Sequence, residues 1–341
     1  MEENKIHVVM ANDFDRVWVD KVRDVSPRLV VTQHYPTVPT DAWESVNVLC
    51  TYNLLPTIQQ APKLRWVQTL SAGVEHLLTH STFFQERSEV WLTNTSGIHA
   101  SQIAEWTMGM ILAWDRNLVG MIDQQARSTW LPREETESLF GTVGIRGKTL
   151  GIVGYGAIGR EVARVASAFG MKILALKRDL KRLSAHTSYS VDGTGDPNAD
   201  LPERLYPPEA VRTMVRDCDY VLLLLPLTDA TRGFMNAEVI GAMKRDAVLL
   251  NAARGAVVDE KALLDALRNK RIGGAILDVF EKEPLPSNSP FWGLPNVIVS
   301  PHVAGYSLNY HERVTAVFVE NLRRYLVHQP LLNLIDFKHG Y

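Results

Sequence analysis

Three side chains of this 341-residue chain are of types that move protons or hold carboxylates, and each stands just after an apolar run. Asn251-Ala252-Ala253-Arg254-Gly255 carries an arginine, Asp278-Val279-Phe280-Glu281-Lys282-Glu283-Pro284 a carboxylate, and Ser300-Pro301-His302-Val303-Ala304-Gly305 a histidine. Singly, each has an ordinary explanation. Arginine before glycine is often a surface residue, Glu283 could be a solvated loop charge, and one histidine among ten is usually structural. Together they supply a donor fork for a carboxylate, a group that titrates near neutral pH and an acid to orient it.

Upstream, an apolar strand runs into Gly154-Tyr155-Gly156-Ala157-Ile158-Gly159, a helix follows from Glu161 to Phe169, and a second strand, Lys172–Leu176, closes a βαβ unit. In this setting the first glycine makes a tight turn and the second lets backbone approach a pyrophosphate. The third packs helix on strand, and the helix N-terminus attracts phosphate. The pattern implies a dinucleotide. At the end of the second strand an acidic residue ordinarily binds the adenosine ribose, but here stand Lys177 and Arg178. A carboxylate there would repel the roughly two negative charges of a 2′-phosphate, whereas two cations attract them. NADP is therefore expected, with NAD possible. Lys181 and Arg182 could extend the basic site, or form a solvated helix face.

Positioning these residues takes two alternating β/α series. The first has strands at Ile6–Met10, Leu29–Gln33, Val46–Thr51, Trp66–Leu70 and Val90–Asn94, punctuated by turn-forming residues. A long apolar helix, about Ser101 to Leu118, follows. The second has six strands: Leu150–Val153, Lys172–Leu176, Tyr220–Leu225, Val248–Asn251, Gly274–Leu277 and Val297–Ser300. A last helix, Leu308–Val327, has no further strand to serve and is assigned back to the first series. The expectation is a two-domain α/β protein. A Rossmann dinucleotide-binding domain spans 101–305, and a discontinuous, flavodoxin-like substrate domain spans 1–100 and 306–341. Substrate would meet cofactor in a cleft between them. The segment Ser184–Pro208, rich in Ser, Gly, Asp and Pro, fits no element; it reads as a surface insertion or a flap over the adenosine end.

A net charge of −2 argues against broad nucleic-acid or anionic-membrane binding. Two cysteines exclude a disulfide framework and a thiolate cluster, and no metal site is assigned. The N-terminus lacks a signal-type apolar run, so a cytoplasmic location is expected.

The ordered motifs resemble the D-isomer-specific 2-hydroxyacid dehydrogenase family over nearly the whole chain. They are Ser71-Ala72-Gly73-Val74-Glu75, the glycine run, Leu225-Pro226-Leu227-Thr228 with Thr231, and the Arg254, Glu283 and His302 segments. The closing Gly340-Tyr341 is also similar. The resemblance implies reduction of a 2-keto acid to a D-2-hydroxy acid, and the reverse. His302 would be the general acid in reduction and Glu283 would orient its ring and stabilise its protonated form. Arg254 would hold the substrate carboxylate, with backbone amides at Ala72 and Gly73 completing the cradle. The resemblance adds Asp278 as a nicotinamide carboxamide ligand, and Leu225, Pro226, Thr231, Ala252, Arg254, His302 and Gly305 as cofactor contacts. Formate dehydrogenases share the architecture but pair the histidine with an amide residue, so Glu283 favours a keto acid.

Glyoxylate or hydroxypyruvate is the leading substrate on the resemblance, a larger keto acid the alternative. A dinucleotide-sensing corepressor is the rival from another class. A homodimer is expected, and Trp130 would pack in its interface or reach the neighbouring site. His76, beside the substrate loop, could select substrates or start a helix; packing and capping account for His99 and Glu105.

Overall fold

The computed structural model describes residues 5–79, 83–181, 183 and 188–337, with Glu75 and Thr79 as backbone only. Gly340-Tyr341, Arg182 and residues 184–187 of the unassigned segment lie outside the described residues. The chain divides into two compact units. One comprises Met1–Ile98, His186–Val191 and Ser307–Tyr341; the other comprises His99–Ala185 and Asp192–Tyr306.

The first unit is built on five parallel strands, β1 (Ile6–Ala11), β2 (Leu29–Gln33), β3 (Val48–Thr51), β4 (Trp66–Thr69) and β5 (Trp91–Thr93). Their order, β2-β1-β3-β4-β5, is the flavodoxin-like arrangement. Alternate residues feed opposite cores because side chains alternate along a strand. Val8, Met10, Val48 and Trp66 pack with Val314, Val317, Phe318 and Leu322 of the helix Tyr310–Leu326. Val9, Leu49, Val67 and Leu92 pack with Trp43, Leu77 and Phe83. A network of paired polar groups crosses this unit. The Trp66 indole donates to Thr93 Oγ1 (2.7 Å), whose hydroxyl donates to Gln68 (2.9 Å), and Asn321 donates to the same Gln68 oxygen (3.2 Å).

The second unit holds β6 (Thr149–Val153), β7 (Lys172–Leu176), β8 (Arg204–Tyr206), β9 (Tyr220–Leu223), β10 (Val248–Asn251), β11 (Gly274–Leu277) and β12 (Val297–Val299), all parallel. Read from β8, the order is β8-β7-β6-β9-β10-β11-β12, with the strand order reversing between β6 and β9. That reversal is where open α/β sheets bind ligands.

Three expectations are corrected. The sheet has seven strands rather than six, because Arg204–Tyr206 of the unassigned segment pairs with β7. Three residues flanked by Pro202 and Pro207 are too short to show a period. The segment is also not merely superficial, since its Asp196 is only 5% exposed. The long apolar helix, expected to Leu118, ends at Asp115. Asn117 turns left-handed (φ 50°) and its side chain accepts from Gly120 N–H, starting a separate helix, Leu118–Ala126. Asp115, at the break, takes Lys148 Nζ (2.5 Å) and the Thr142 hydroxyl (2.8 Å). Burial opposes its ionisation, but these partners outweigh it and hold the carboxyl below the usual aspartate range. No helix among the described residues is long and apolar enough to cross a membrane.

Candidate active site

The dinucleotide end is shaped by the glycine turn between β6 and the helix Ala157–Ala168. Gly154 adopts φ 113°, and a Cβ there would meet the backbone of Leu224 at 2.9 Å, so only glycine fits this approach of β6 to the chain leaving β9. Gly156 is exposed, with open space over its Cα, and the helix it starts has no side-chain cap. The first-turn amides, at Ala157, Ile158 and Gly159, thus form an uncapped donor set of the kind that takes a pyrophosphate. These residues fit a dinucleotide.

Tyr155 was expected among the cofactor contacts from its place in the run. Its side chain instead turns inward: it is 2% exposed, and its hydroxyl donates to Asp196 Oδ2 at 2.6 Å. Its amide donates to Leu176 O. Lys177 follows β7, half-buried, and its Nζ has no hydrogen bond or ion pair among the described residues. Burial, and then the charge of Arg160, hold its ammonium below the usual lysine value. Arg178 beside it is exposed. Leu225, Pro226, Ala252 and Gly305 are half-buried, on chain following β9, β10 and β12. Thr231 fastens the turn after β9, its hydroxyl donating to Pro226 O (2.6 Å) and accepting from Thr228 N–H (2.8 Å).

The three candidate catalytic side chains follow β10, β11 and β12, neighbours in the sheet. His302 Nδ1 lies 2.7 Å from Glu283 Oε2, and Glu283 Oε1 accepts from Phe280 N–H at 2.9 Å. An ionised carboxylate only accepts, so Nδ1 carries the proton of this bond and Nε2 is the ring nitrogen not engaged by Glu283. His302 is left-handed (φ 56°), uncommon for a residue with a side chain. Asp278 holds it there. Its carbonyl accepts from His302 N–H (2.8 Å), and its buried carboxylate accepts from the Ser300 hydroxyl (2.6 Å) and the amides of Val303 and Ala304 (both 2.9 Å).

Arg254 is half-buried, with Nη1 donating to Ala253 O (2.8 Å). Its turn is pinned by buried Asn251, which donates to Arg254 O (3.1 Å) and accepts from Ala253 N–H (3.1 Å). A Cβ on Gly255 would lie 1.8 Å from the Phe280 carbonyl carbon. The arginine turn therefore packs directly on the chain that leads to Glu283.

Ala72 and Gly73 belong to the first unit, after β4. Three consecutive carbonyls of their loop are tied back. Ser71 O accepts from Thr95 N–H (3.1 Å), Ala72 O from Asn94 Nδ2 (2.7 Å) and Gly73 O from Ser71 Oγ (2.7 Å). In a trans peptide the N–H points opposite to its carbonyl. The Ala72 and Gly73 amides are accordingly turned away from these partners, and neither donates to a described group. His76 Nε2 meets Tyr52 O at 2.7 Å, its ring stacked on Tyr52.

Sequence reasoning missed Arg160 and Asp196. Arg160 is 4% exposed and donates to the carbonyls of Asp196 and Leu183, yet it looks like an ordinary helix-surface cation in the sequence.

A doubly wound parallel sheet with an uncapped glycine turn, and a histidine–carboxylate pair at its strand ends, defines a dinucleotide-dependent oxidoreductase. Residues 108–304 match the model of the D-isomer specific 2-hydroxyacid dehydrogenase NAD binding domain, and the chain belongs to that family. It is 33% identical over 286 residues to glyoxylate reductase of Aeropyrum pernix, covering 82% of this chain and 78% of that one. It is 34% identical over 270 residues to glyoxylate/hydroxypyruvate reductase B of Escherichia fergusonii, covering 78% and 76%. A D-isomer specific 2-hydroxyacid dehydrogenase from Xanthobacter autotrophicus Py2, solved with NADPH and MES, superposes with a TM-score of 0.76. It is 28% identical and covers 99% of this chain and 100% of that one.

Proposed function

We propose that this chain is an NADPH-preferring reductase of small 2-keto acids, of the glyoxylate and hydroxypyruvate kind, forming D-2-hydroxy acids. The observation that carries the reading is the His302–Glu283 pair at 2.7 Å, with the Arg254 turn packed on the same chain. When bound, the nicotinamide supplies the hydride to the keto carbon. His302, protonated at Nε2, donates the proton to the resulting alkoxide oxygen, and in oxidation the neutral ring takes it back. Glu283 keeps the proton on Nδ1 and balances the charge of the imidazolium. Arg254 holds the substrate carboxylate, and the Ala72 and Gly73 amides of the first unit remain the further donors that the family resemblance implies. Asp278 Oδ2 has one described donor, so it retains an acceptor position for a carboxamide.

Lys177 supports the preference for NADPH, being a half-buried cation where an acid would select NAD. The Xanthobacter structure holds NADPH, which agrees with this reading. The relatives' names favour neither a larger keto acid nor a dinucleotide sensor.

A homodimer is supported by the exposed apolar side chains Leu118, Val119, Met121 and Ile122 on one short helix, with Trp130, 97% exposed, just beyond. Cytoplasmic residence agrees with Cys50 and Cys218 being buried free thiols. In this reading residues 1–100 and 306–341 serve the substrate and 101–305 the cofactor.

The test is NADPH oxidation across a panel of 2-keto acids. Turnover with glyoxylate or hydroxypyruvate is expected. Cofactor binding without turnover on any member would instead indicate a sensor.

A further inference from the structure

Arg160 is a charge in an unusual place. It sits in the first turn of the helix Ala157–Ala168, is 4% exposed, and has no carboxylate within ion-pair distance among the described residues. Its described hydrogen bonds go to two carbonyls, Asp196 O and Leu183 O, and its guanidinium lies 5.1 Å from the centroid of the Tyr155 ring. Carbonyls satisfy N–H donors but do not neutralise a cation, and burying an unneutralised charge is costly. The nearby carboxylate, Asp196, is already occupied by the Tyr155 hydroxyl and the amides of Asp200 and Leu201. Lys177 is half-buried with no hydrogen bond or ion pair among the described residues, and burial, then the charge of Arg160, hold its ammonium below the usual lysine value against the opposing charge of Asp179. Arg160 stands in the helix that follows β6 and Lys177 directly after the neighbouring β7, and two poorly neutralised cations so placed make a local field that suits a multiply charged anion.

We propose that Arg160 is a specificity-determining residue of the dinucleotide site, its buried charge acting with that of Lys177 to favour a phosphate over a hydroxyl beside the end of β7. The proposal rests on the NADPH reading above and adds a residue outside the expected strand-end pair. Arg160 acts through the field and through its anchoring of Leu183, which follows the Lys177-Arg178 turn in the chain.

The test is calorimetric binding of 2′,5′-ADP and 5′-AMP, the adenosine halves of the two cofactors, to the full chain and its folded variants. The wild type is expected to bind 2′,5′-ADP at least about tenfold more tightly than 5′-AMP. Arg160→Gln, which keeps donors and removes the charge, should lower that ratio about fivefold and leave 5′-AMP affinity within about twofold. Arg160→Lys should keep the ratio within about twofold, because the charge remains. Asp196→Asn, which removes the carboxylate opposing Arg160, should raise the ratio and so gives a readout of opposite sign if the glutamine variant does not fold. An unchanged ratio in Arg160→Gln, equal weakening of both nucleotides, or an unchanged or lowered ratio in Asp196→Asn overturns the proposal. A wild type that does not discriminate overturns the NADPH reading as well; a discriminating wild type with an indifferent Arg160→Gln overturns only the role of Arg160.

Discussion

In the proposed reaction His302 and Glu283 would divide one task between them. The ring would exchange a proton at Nε2 while keeping the other on Nδ1, and the 2.7 Å contact with Glu283 supports that division. His302→Ala is expected to lower kcat by about 10²–10⁴-fold while NADPH affinity, read by fluorescence, changes little. Near-normal turnover would remove His302 from the acid role. Arg254→Ala should act mainly on keto-acid KM, and an unchanged KM would sink the carboxylate assignment. These three residues were legible in the sequence because residue type and strand-end position are both local properties. Arg160 and Asp196 were not, since what sets them apart is burial without an ion pair, which only tertiary packing creates. The inward turn of the Tyr155 side chain was hidden for the same reason: a motif gives the path of the backbone, not the direction in which a tyrosine turns.

Close packing between turns carries the geometry at the level of elements. Gly255→Ala would drive a Cβ into the Phe280 carbonyl, and the arginine turn would have to move away from the Glu283 chain. The expected result is a large loss of kcat/KM, with a stability cost of about 1–3 kcal/mol seen in chemical denaturation. An active, unaltered variant would contradict the account of that approach. Asp115 makes a different prediction. Its folded carboxyl is held below the usual range, so its stabilising effect is present above the ordinary aspartate pKa of about 3.9 and is lost as pH falls through the depressed value. Asp115→Asn should therefore cost about 1–3 kcal/mol at neutral pH and flatten the acid limb of the stability profile. An acid limb as steep as that of wild type would show that Asp115 is not its source. Most strands were legible from apolar runs bounded by turn residues. β8 was not, because three residues between prolines carry too little pattern, and the helix break at Asn117 was hidden within a continuous apolar stretch.

For the whole molecule, two compact units, each built on one parallel sheet, divide the chain between them, and the sheet orders, β2-β1-β3-β4-β5 and β8-β7-β6-β9-β10-β11-β12, follow from two β/α series read in succession. The glycine turn falls at the strand-order reversal of the larger sheet, which is why a short motif carried so much of the functional reading. What a one-dimensional pattern does not carry is the side-chain pocket that chooses among keto acids. The most direct measurement is therefore steady-state kinetics of the purified chain with glyoxylate, hydroxypyruvate and larger 2-keto acids, each with NADPH and with NADH. The account predicts turnover of the small keto acids with a kcat/KM for NADPH at least about tenfold above that for NADH. A preference for NADH on every active substrate would contradict it.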